Sequence, residues 1–459
     1  MTCLHGLALS LLASVSLAGA ALAQTTPPAM EPAGHDMAGM DHFQMDHSKM
    51  DHSGMAGMDD MAGMDHGAME HMGGGLLGDY SMTRDASGTA WQPDSAAHSG
   101  WMFKAGGWSW MVHGDVSAVF DKQSGARGGE QSFIAGMIMA RATRDVGPGN
   151  LTLRAMVSPD PFIGKRGYPL LFQTGETADG VHGLVDRQHP HDALGELSAT
   201  YAVTVAPQTS AFVYAAYPGE PALGPAAFLH RASSSQGVTA PISHHWLDST
   251  HVTFGVVTAG VVWKGFKLEG SSFTGREPDQ HRWSPDKPRF DSTSIRLSLN
   301  PTPEWSLQIS RGWLKSPEQL EPDLNQTRTT ASATYQHRLG WHDADWQTTL
   351  AWGNNRFTDG RDTDAFELDS NLSFGPHVLF ARIEQAQKDE LFQPSDALAG
   401  RSFRIAEFVG GYVRYFPVAD HLQLGLGAQA GTYDLPSALK PLYGSNPYQA
   451  LLFVRLKIG

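Results

Sequence analysis

Beyond residue 107, apolar and polar positions alternate with a period of two. Trp108, Trp110, Val112, Val116 and Phe120 alternate with Ser109, Met111, His113, Asp115 and Ser117. In a strand these two sets point to opposite faces. The pattern returns in Leu197, Ala199, Tyr201 and Val203, in Trp305, Leu307 and Ile309, and in Leu422, Leu424 and Leu426. It also runs to the C-terminus, where Tyr448, Ala450, Leu452, Val454, Leu456 and Ile458 stand against Gln449, Arg455 and Lys457. Segments of about ten residues with one apolar and one polar face predict the strands of a membrane barrel.

The connections alternate as well. Short turns fall at Val146-Gly147-Pro148-Gly149-Asn150, Ala206-Pro207-Gln208, Asn300-Pro301-Thr302-Pro303, Phe374-Gly375-Pro376 and Pro417-Val418-Ala419-Asp420. Longer loops lie between them, at 159–193, 218–250, 276–289, 316–327, 386–402 and 434–447. The expectation is an all-β fold, a transmembrane antiparallel up-and-down β-barrel over residues 107–459, with about 16 strands (roughly 14–18). An even strand number puts both ends of the barrel on the periplasmic side. A secreted sandwich or propeller also alternates, but it buries its apolar face and does not set Trp and Tyr at strand ends on that face.

The first residues set the compartment. Leu7 to Leu22 is a run of small apolar residues ending in Ala21-Leu22-Ala23, which predicts a signal peptide over 1–23. Its leading segment carries His5 but no Lys or Arg. The chain's one cysteine, Cys3, leaves with it, so the mature chain has no thiol for a disulfide, a zinc-thiolate site or a nucleophile. No long apolar run follows, and the mean hydropathy is negative. A barrel matches that composition, because strands need alternation rather than about 20 consecutive apolar residues. The net charge of −14 argues against nucleic acid as a partner.

Residues 24–78 read as a disordered arm and 79–106 as a linker. The arm repeats a degenerate Met-Asp-His unit, and it holds eleven of the 18 methionines and six of the 21 histidines, a density that core filling does not explain. Between Met30 and Met72, with Phe43 as the one aromatic and no branched aliphatic residue, it cannot bury enough apolar surface to offset its chain entropy. The candidate ligands are Met37, Met40, Asp41, His42, Met45, Asp46, His47, Met50, Asp51, His52, Met58, Met61, Met64, Asp65, His66, Met69, His71 and Met72. Thioether sulfur is soft and prefers Cu(I) or Ag(I), imidazole suits Cu(II), and the carboxylates add hard donors. The mixture predicts capture of copper in either redox state.

A second constellation lies in the longer loops. One loop carries His182 and Asp186-Arg187-Gln188-His189-Pro190-His191-Asp192; the next carries Glu220, His230, His244, His245 and Asp248, followed by His251. In an extended His-Pro-His the two imidazoles project the same way, whereas adjacent His244 and His245 are expected to project apart. Asp186, His189, His191, Asp192, His244 and His245 are therefore a candidate loop metal site, set against the plainer reading that such residues hold the loops together through hydrogen bonds. Lys267, Glu269, Arg296, Arg382 and Glu384 face the pore with mixed sign and predict a wet lumen. No Ser-His-Asp order, HExxH, P-loop or dinucleotide fingerprint is present, and no enzyme is expected.

A Met/His/Asp-rich exported arm ahead of a barrel resembles the copper resistance protein B family of bacterial outer membranes. The stretches 186–192, 242–251 and 270–279 look like uncharacterised outer-membrane barrel proteins associated with metal resistance. The resemblance implies copper tolerance at the outer membrane, with the arm in the periplasm and a periplasmic copper chaperone or oxidase as partner. Two alternatives accompany it: a porin-like channel for a small polar solute with an accessory metal-binding arm, and a metalloenzyme built on the loop histidines.

Overall fold

The computed structural model describes residues 74–97 and 100–459. Sixteen strands, from Trp108–Gln123 to Tyr448–Ile458, form a closed antiparallel ring. Each pairs with its neighbours in sequence order, apart from a hairpin inserted between Gly149–Val157 and Leu194–Ala206, and the last strand pairs with the first from Ile458↔Gly114 to Gln449↔Gln123. Closure leaves no strand edge unpaired in the wall, the condition for a sheet to cross a bilayer. A short strand, Trp101–Ala105, pairs with the start of the first barrel strand.

The alternation read from the sequence is the alternation of the wall. Along Tyr448–Ile458, Tyr448, Leu452, Val454 and Leu456 are exposed, while Gln449, Leu451, Phe453 and Arg455 are buried in the lumen. Aromatic side chains mark both ends of the outer face: Trp263, Phe266 and Trp305 at one end, Trp313 and Tyr448 at the other. The chain is thus a membrane-spanning barrel of the outer-membrane type. Among the described residues no helix is long and apolar enough to cross a membrane, and the strands do so instead.

Connections at one end are short, as at 147–148, 207–208, 264–265, 375–376 and 420–421; at the other end they include the long loops 158–193, 217–255, 274–291, 389–402 and 435–447. Here the structure departs from the expected wet lumen. Loops 158–193 and 217–255 fold inward. Leu171, Phe172, Ile242, Trp246 and Leu247 pack with wall residues Ala351, Ala365 and Ile405 in one apolar cluster, while Leu170, Phe228 and Ala240 pack with Val119, Phe380 and Phe453 in another. The mixed charges of the wall are spent on these inserted segments. Arg296 donates to the Gly224 carbonyl and to Thr89, Arg382 to the Thr239 carbonyl, and Glu384 accepts from Ser243. A charge taken out of water needs such a partner, which is why the insertion and the charged wall occur together.

The expected arm and linker also differ at their junction. Residues 74–97 enter the lumen from the short-turn end. Leu76, Leu77 and Trp91 are buried against Phe212 and Val262. Asp85 accepts from Arg141 at 2.9 Å and from the Leu76 amide at 2.8 Å, and Arg84 lies between the rings of Tyr80 and Trp91 while binding Asp94. The two insertions meet where the Ala227 amide donates to Ser87 Oγ at 2.8 Å. Apolar residues just after the glycine-rich break supply this anchor, so the segment is a plug rather than a linker.

Candidate metal centre in the barrel lumen

The arm ligands from Met37 to Met72 lie outside the described residues. The loop histidines do not. After the hairpin Tyr168–Thr177 and Gly183–Gln188, the chain runs through His189-Pro190-His191 into the lumen. From the other loop comes a single helical turn, His244–Leu247, followed at once by a 3-10 turn, Ser249–His251. The wall holds these turns in place: Ser243 Oγ donates to Glu367 at 2.6 Å, Trp246 Nε1 to Thr363 at 3.0 Å, Asn355 to the His245 carbonyl at 3.1 Å and Arg328 to Ser249 at 2.9 Å. Gly353 in the wall makes the approach feasible, since a Cβ there would fall 2.3 Å from the Trp246 carbonyl oxygen.

Five imidazoles close into a ring. Successive ring centroids lie 6.3 Å apart for His189–His191, 5.1 Å for His191–His251, 5.2 Å for His251–His244, 5.6 Å for His244–His245 and 6.1 Å for His245–His189. His244 and His245 therefore both belong to the cluster, contrary to the expectation that they project apart. That expectation holds for a strand; in a helical turn neighbours diverge by only about 100°. Phe228 packs on His191, His244 and His251 and supplies an apolar wall.

Four of the five rings are oriented through Nδ1. His191 Nδ1 lies 2.7 Å from Asp160, His244 Nδ1 2.6 Å from Asp248, His251 Nδ1 2.8 Å from the Asp248 carbonyl, and His189 Nδ1 3.3 Å from the Pro190 carbonyl. Fixing Nδ1 on a carboxylate or carbonyl turns Nε2 outward as an acceptor, the arrangement that orients metal-binding histidines. The Nε2 atoms of His191, His245 and His251 are buried and have no hydrogen-bond partner. Burial, then the neighbouring His191, pulls His189 down to about 3; burial likewise holds His244, His245 and His251 well below the ordinary value. Burial acts on His191 too, but Asp160 outweighs it and the net shift is upward. Four of the five are thus neutral near pH 7, the state in which imidazole binds metal. A cavity of about 60 Å³, lined in part by His189, His191, Asp160, Asp115 and Arg455, adjoins the ring and has room for a few waters.

The structure separates two residues from this cluster. Asp186 accepts from Arg127 at 2.6 Å and from the Phe172 amide at 2.8 Å, and Asp192 binds Arg282 at 3.2 Å. Both are held by loop-building contacts rather than presented to the ring. His182 pairs with Asp179 at the surface, and His230 stands 6.3 Å from His113. In exchange the site gains Asp248, which the sequence placed in the same loop, His251 just after it, and Asp160, for which it offered no signal beyond its position in the other. Asp160 is 31 residues from His191, and only the folded loop joins them.

No family model matches the chain, and no curated protein does, so neither ties it to the copper resistance protein B family. Among solved structures, OmpF of Salmonella typhi in complex with daunomycin shares 10% identity, over 78% of this chain and 100% of its own, at a TM-score of 0.49. The anion-selective porin from Comamonas acidovorans shares 11%, over 76% and 100%, at 0.45. OpdQ of Pseudomonas aeruginosa shares 9%, over 76% and 96%, at 0.37. These likenesses are of fold alone.

Proposed function

We propose that this protein is an outer-membrane barrel for transition-metal ions, copper foremost, in which the ions cross the lumen along buried imidazoles. The observation that carries the reading is the ring of five histidines, four with Nδ1 held by a carbonyl or a carboxylate and three with an unpartnered Nε2. A structural role would use up these nitrogens in hydrogen bonds; ligand exchange requires them open. Successive imidazoles at 5.1–6.3 Å offer donors in adjacent pairs, which favours passing an ion on over gripping it. The Met/His/Asp-rich arm complements this by adding soft sulfur for Cu(I), and it serves to sequester periplasmic copper or hand it to a chaperone or oxidase.

The test is copper flux into proteoliposomes loaded with a copper-sensitive dye. The full-length protein passes copper, and the His189→Ala/His251→Ala variant loses most of that flux; equal flux in both overturns the reading. A second reading, a channel for a small polar solute with an accessory arm, draws on the closed sixteen-strand barrel. Deleting residues 24–72, which spares buried Leu76 and Leu77, separates them: copper tolerance falls on the first reading, while on the second solute flux persists and is the activity that matters.

A further inference from the structure

Three loops meet at His245. The residue itself belongs to the helical turn of loop 217–255, Glu277 to loop 274–291 and Glu318 to loop 316–324. One ligand atom from each lies within 4.8 Å of the other two, the one such trio of His, Cys, Asp or Glu among the described residues. His245 Nδ1 stands 4.0 Å from Glu277 Oε1. His245 and Glu277 are each 8% exposed, and His245 Nε2 and both Glu277 oxygens have no hydrogen-bond partner.

Buried acids ordinarily sit in ion pairs. The nearby cations are engaged elsewhere. Arg328 donates to Ser249, Gln326 and Asn355; Arg361 binds Glu321, Asp359 and Asp389; Lys388 donates to Gln173 and lies over the Trp246 ring. Glu277 and Glu318 form no salt bridge with any of them. Burial pushes the Glu277 carboxyl upward, with Arg328 opposing and Glu390 adding to the shift, and burial followed by repulsion from Glu277 and Glu321 pushes Glu318 the same way. A divalent cation between them would relieve both the repulsion and the unpaired oxygens.

We propose that His245, Glu277 and Glu318 form a binding site for one divalent first-row transition-metal ion. One imidazole nitrogen and two carboxylates make a borderline-to-hard donor set, suited to Mn(II), Fe(II), Zn(II) or Cu(II) and without the sulfur that Cu(I) prefers. The chemistry therefore differs from that of the arm and of the all-imidazole ring. His245 belongs to both groups, so an ion held here adjoins the imidazole ring. The site stands on its own geometry and does not require that copper cross the lumen.

The experiment uses the full-length protein in detergent micelles and Mn(II) as the ion, with unbound Mn(II) read from its electron paramagnetic resonance signal. Mn(II) favours carboxylate over thioether and imidazole, which keeps the ring in the background. Binding at the arm's aspartates is common to the wild type and the Gln variants and cancels in the comparison. The wild-type protein shows one saturable Mn(II) site. Glu277→Gln/Glu318→Gln keeps the shape of both side chains and weakens that site by at least about tenfold, since losing even an outer-shell partner costs that much. Glu318→Gln alone, at a half-buried position, shifts it in the same direction and covers the case in which the double variant misfolds. His182→Ala, at a surface histidine paired with Asp179 and outside both groups, leaves Mn(II) affinity unchanged. Unaltered Mn(II) affinity in the two Gln variants, or no saturable site in the wild type, overturns the proposal. Because copper flux is read in the ring variant and Mn(II) affinity in the Gln variants, failure of one claim is distinguishable from failure of the other.

Discussion

The lumen is filled from both ends by inserted chain, yet the two insertions are built differently. Residues 74–97 close almost all of their buried polar groups. Asp85 accepts from Arg141, Tyr80 and the Leu76 amide, Arg84 binds Asp94, and the Thr89 carbonyl receives Lys267; Gln92 Oε1 alone is left without a partner. Loop 217–255 is anchored as firmly, with Arg231 bound to Glu367 and Asp369 and Ser243 to Glu367 and Glu384. It nevertheless holds the Nε2 atoms of His245 and His251 open in the interior. Both insertions are anchored to the wall, so anchoring does not distinguish them. The difference is what remains unsatisfied after anchoring: at the short-turn end almost nothing, at the loop end a set of ligand atoms. That contrast fits a plug at one end and the proposed binding site at the other.

Breaking either anchor should have the largest effect. Arg231→Ala strands Glu367 and Asp369 in the interior at a cost of about 3–5 kcal/mol. The expected outcome is faster hydrogen exchange throughout 217–255 and loss of copper flux. Asp85→Ala leaves Arg141 unpaired at a similar cost, about 3–5 kcal/mol, but should release 74–97 instead: single-channel conductance rises while Mn(II) affinity holds. If Asp85→Ala also abolished Mn(II) binding, the two insertions would be one cooperative unit and the contrast would fail.

Smaller perturbations sharpen the same contrast. A Cβ on Gly175 would fall 2.2 Å from His245 Cε1, at a backbone φ of 100° that side chains rarely adopt. Gly175→Ala should therefore displace the His245 ring and weaken Mn(II) binding by about tenfold, the scale of losing a ligand's support, with exchange in 74–97 unchanged.

Acid gives the mildest test. Burial holds His189 at about 3 in the folded chain, against 6.5 when exposed, and His244, His245 and His251 shift the same way. Between those values these four histidines bind more protons in the unfolded chain than in the folded one, so their contribution to loop stability is complete above pH 6.5 and falls as pH drops toward 3. His191, raised by Asp160, acts in the opposite sense. Hydrogen exchange measured from pH 7 to 4, corrected for intrinsic rates, should rise in loops 158–193 and 217–255 and stay level in 74–97, which contains no buried histidine among its described residues.

Much of the architecture was legible before any coordinates. Period-two alternation is a local property, so strands such as Tyr448–Ile458, their outward faces, the alternation of short and long connections and a count of 16 followed from it. The ligand chemistry of the Met-Asp-His repeat is likewise a matter of residue type, and His189, His191, His244 and His245 were visible as a loop constellation. What needed the tertiary structure was everything that crosses the lumen. Whether a long loop projects outward or folds in depends on wall charges such as Arg231's partners, Glu367 and Asp369, 136 and 138 residues away. Which carboxylate orients which imidazole depends on Asp160 meeting His191. A sequence carries side-chain direction only relative to its own strand or turn. It does not carry the path that brings five imidazoles and two glutamates from four separate loops to one place inside the barrel.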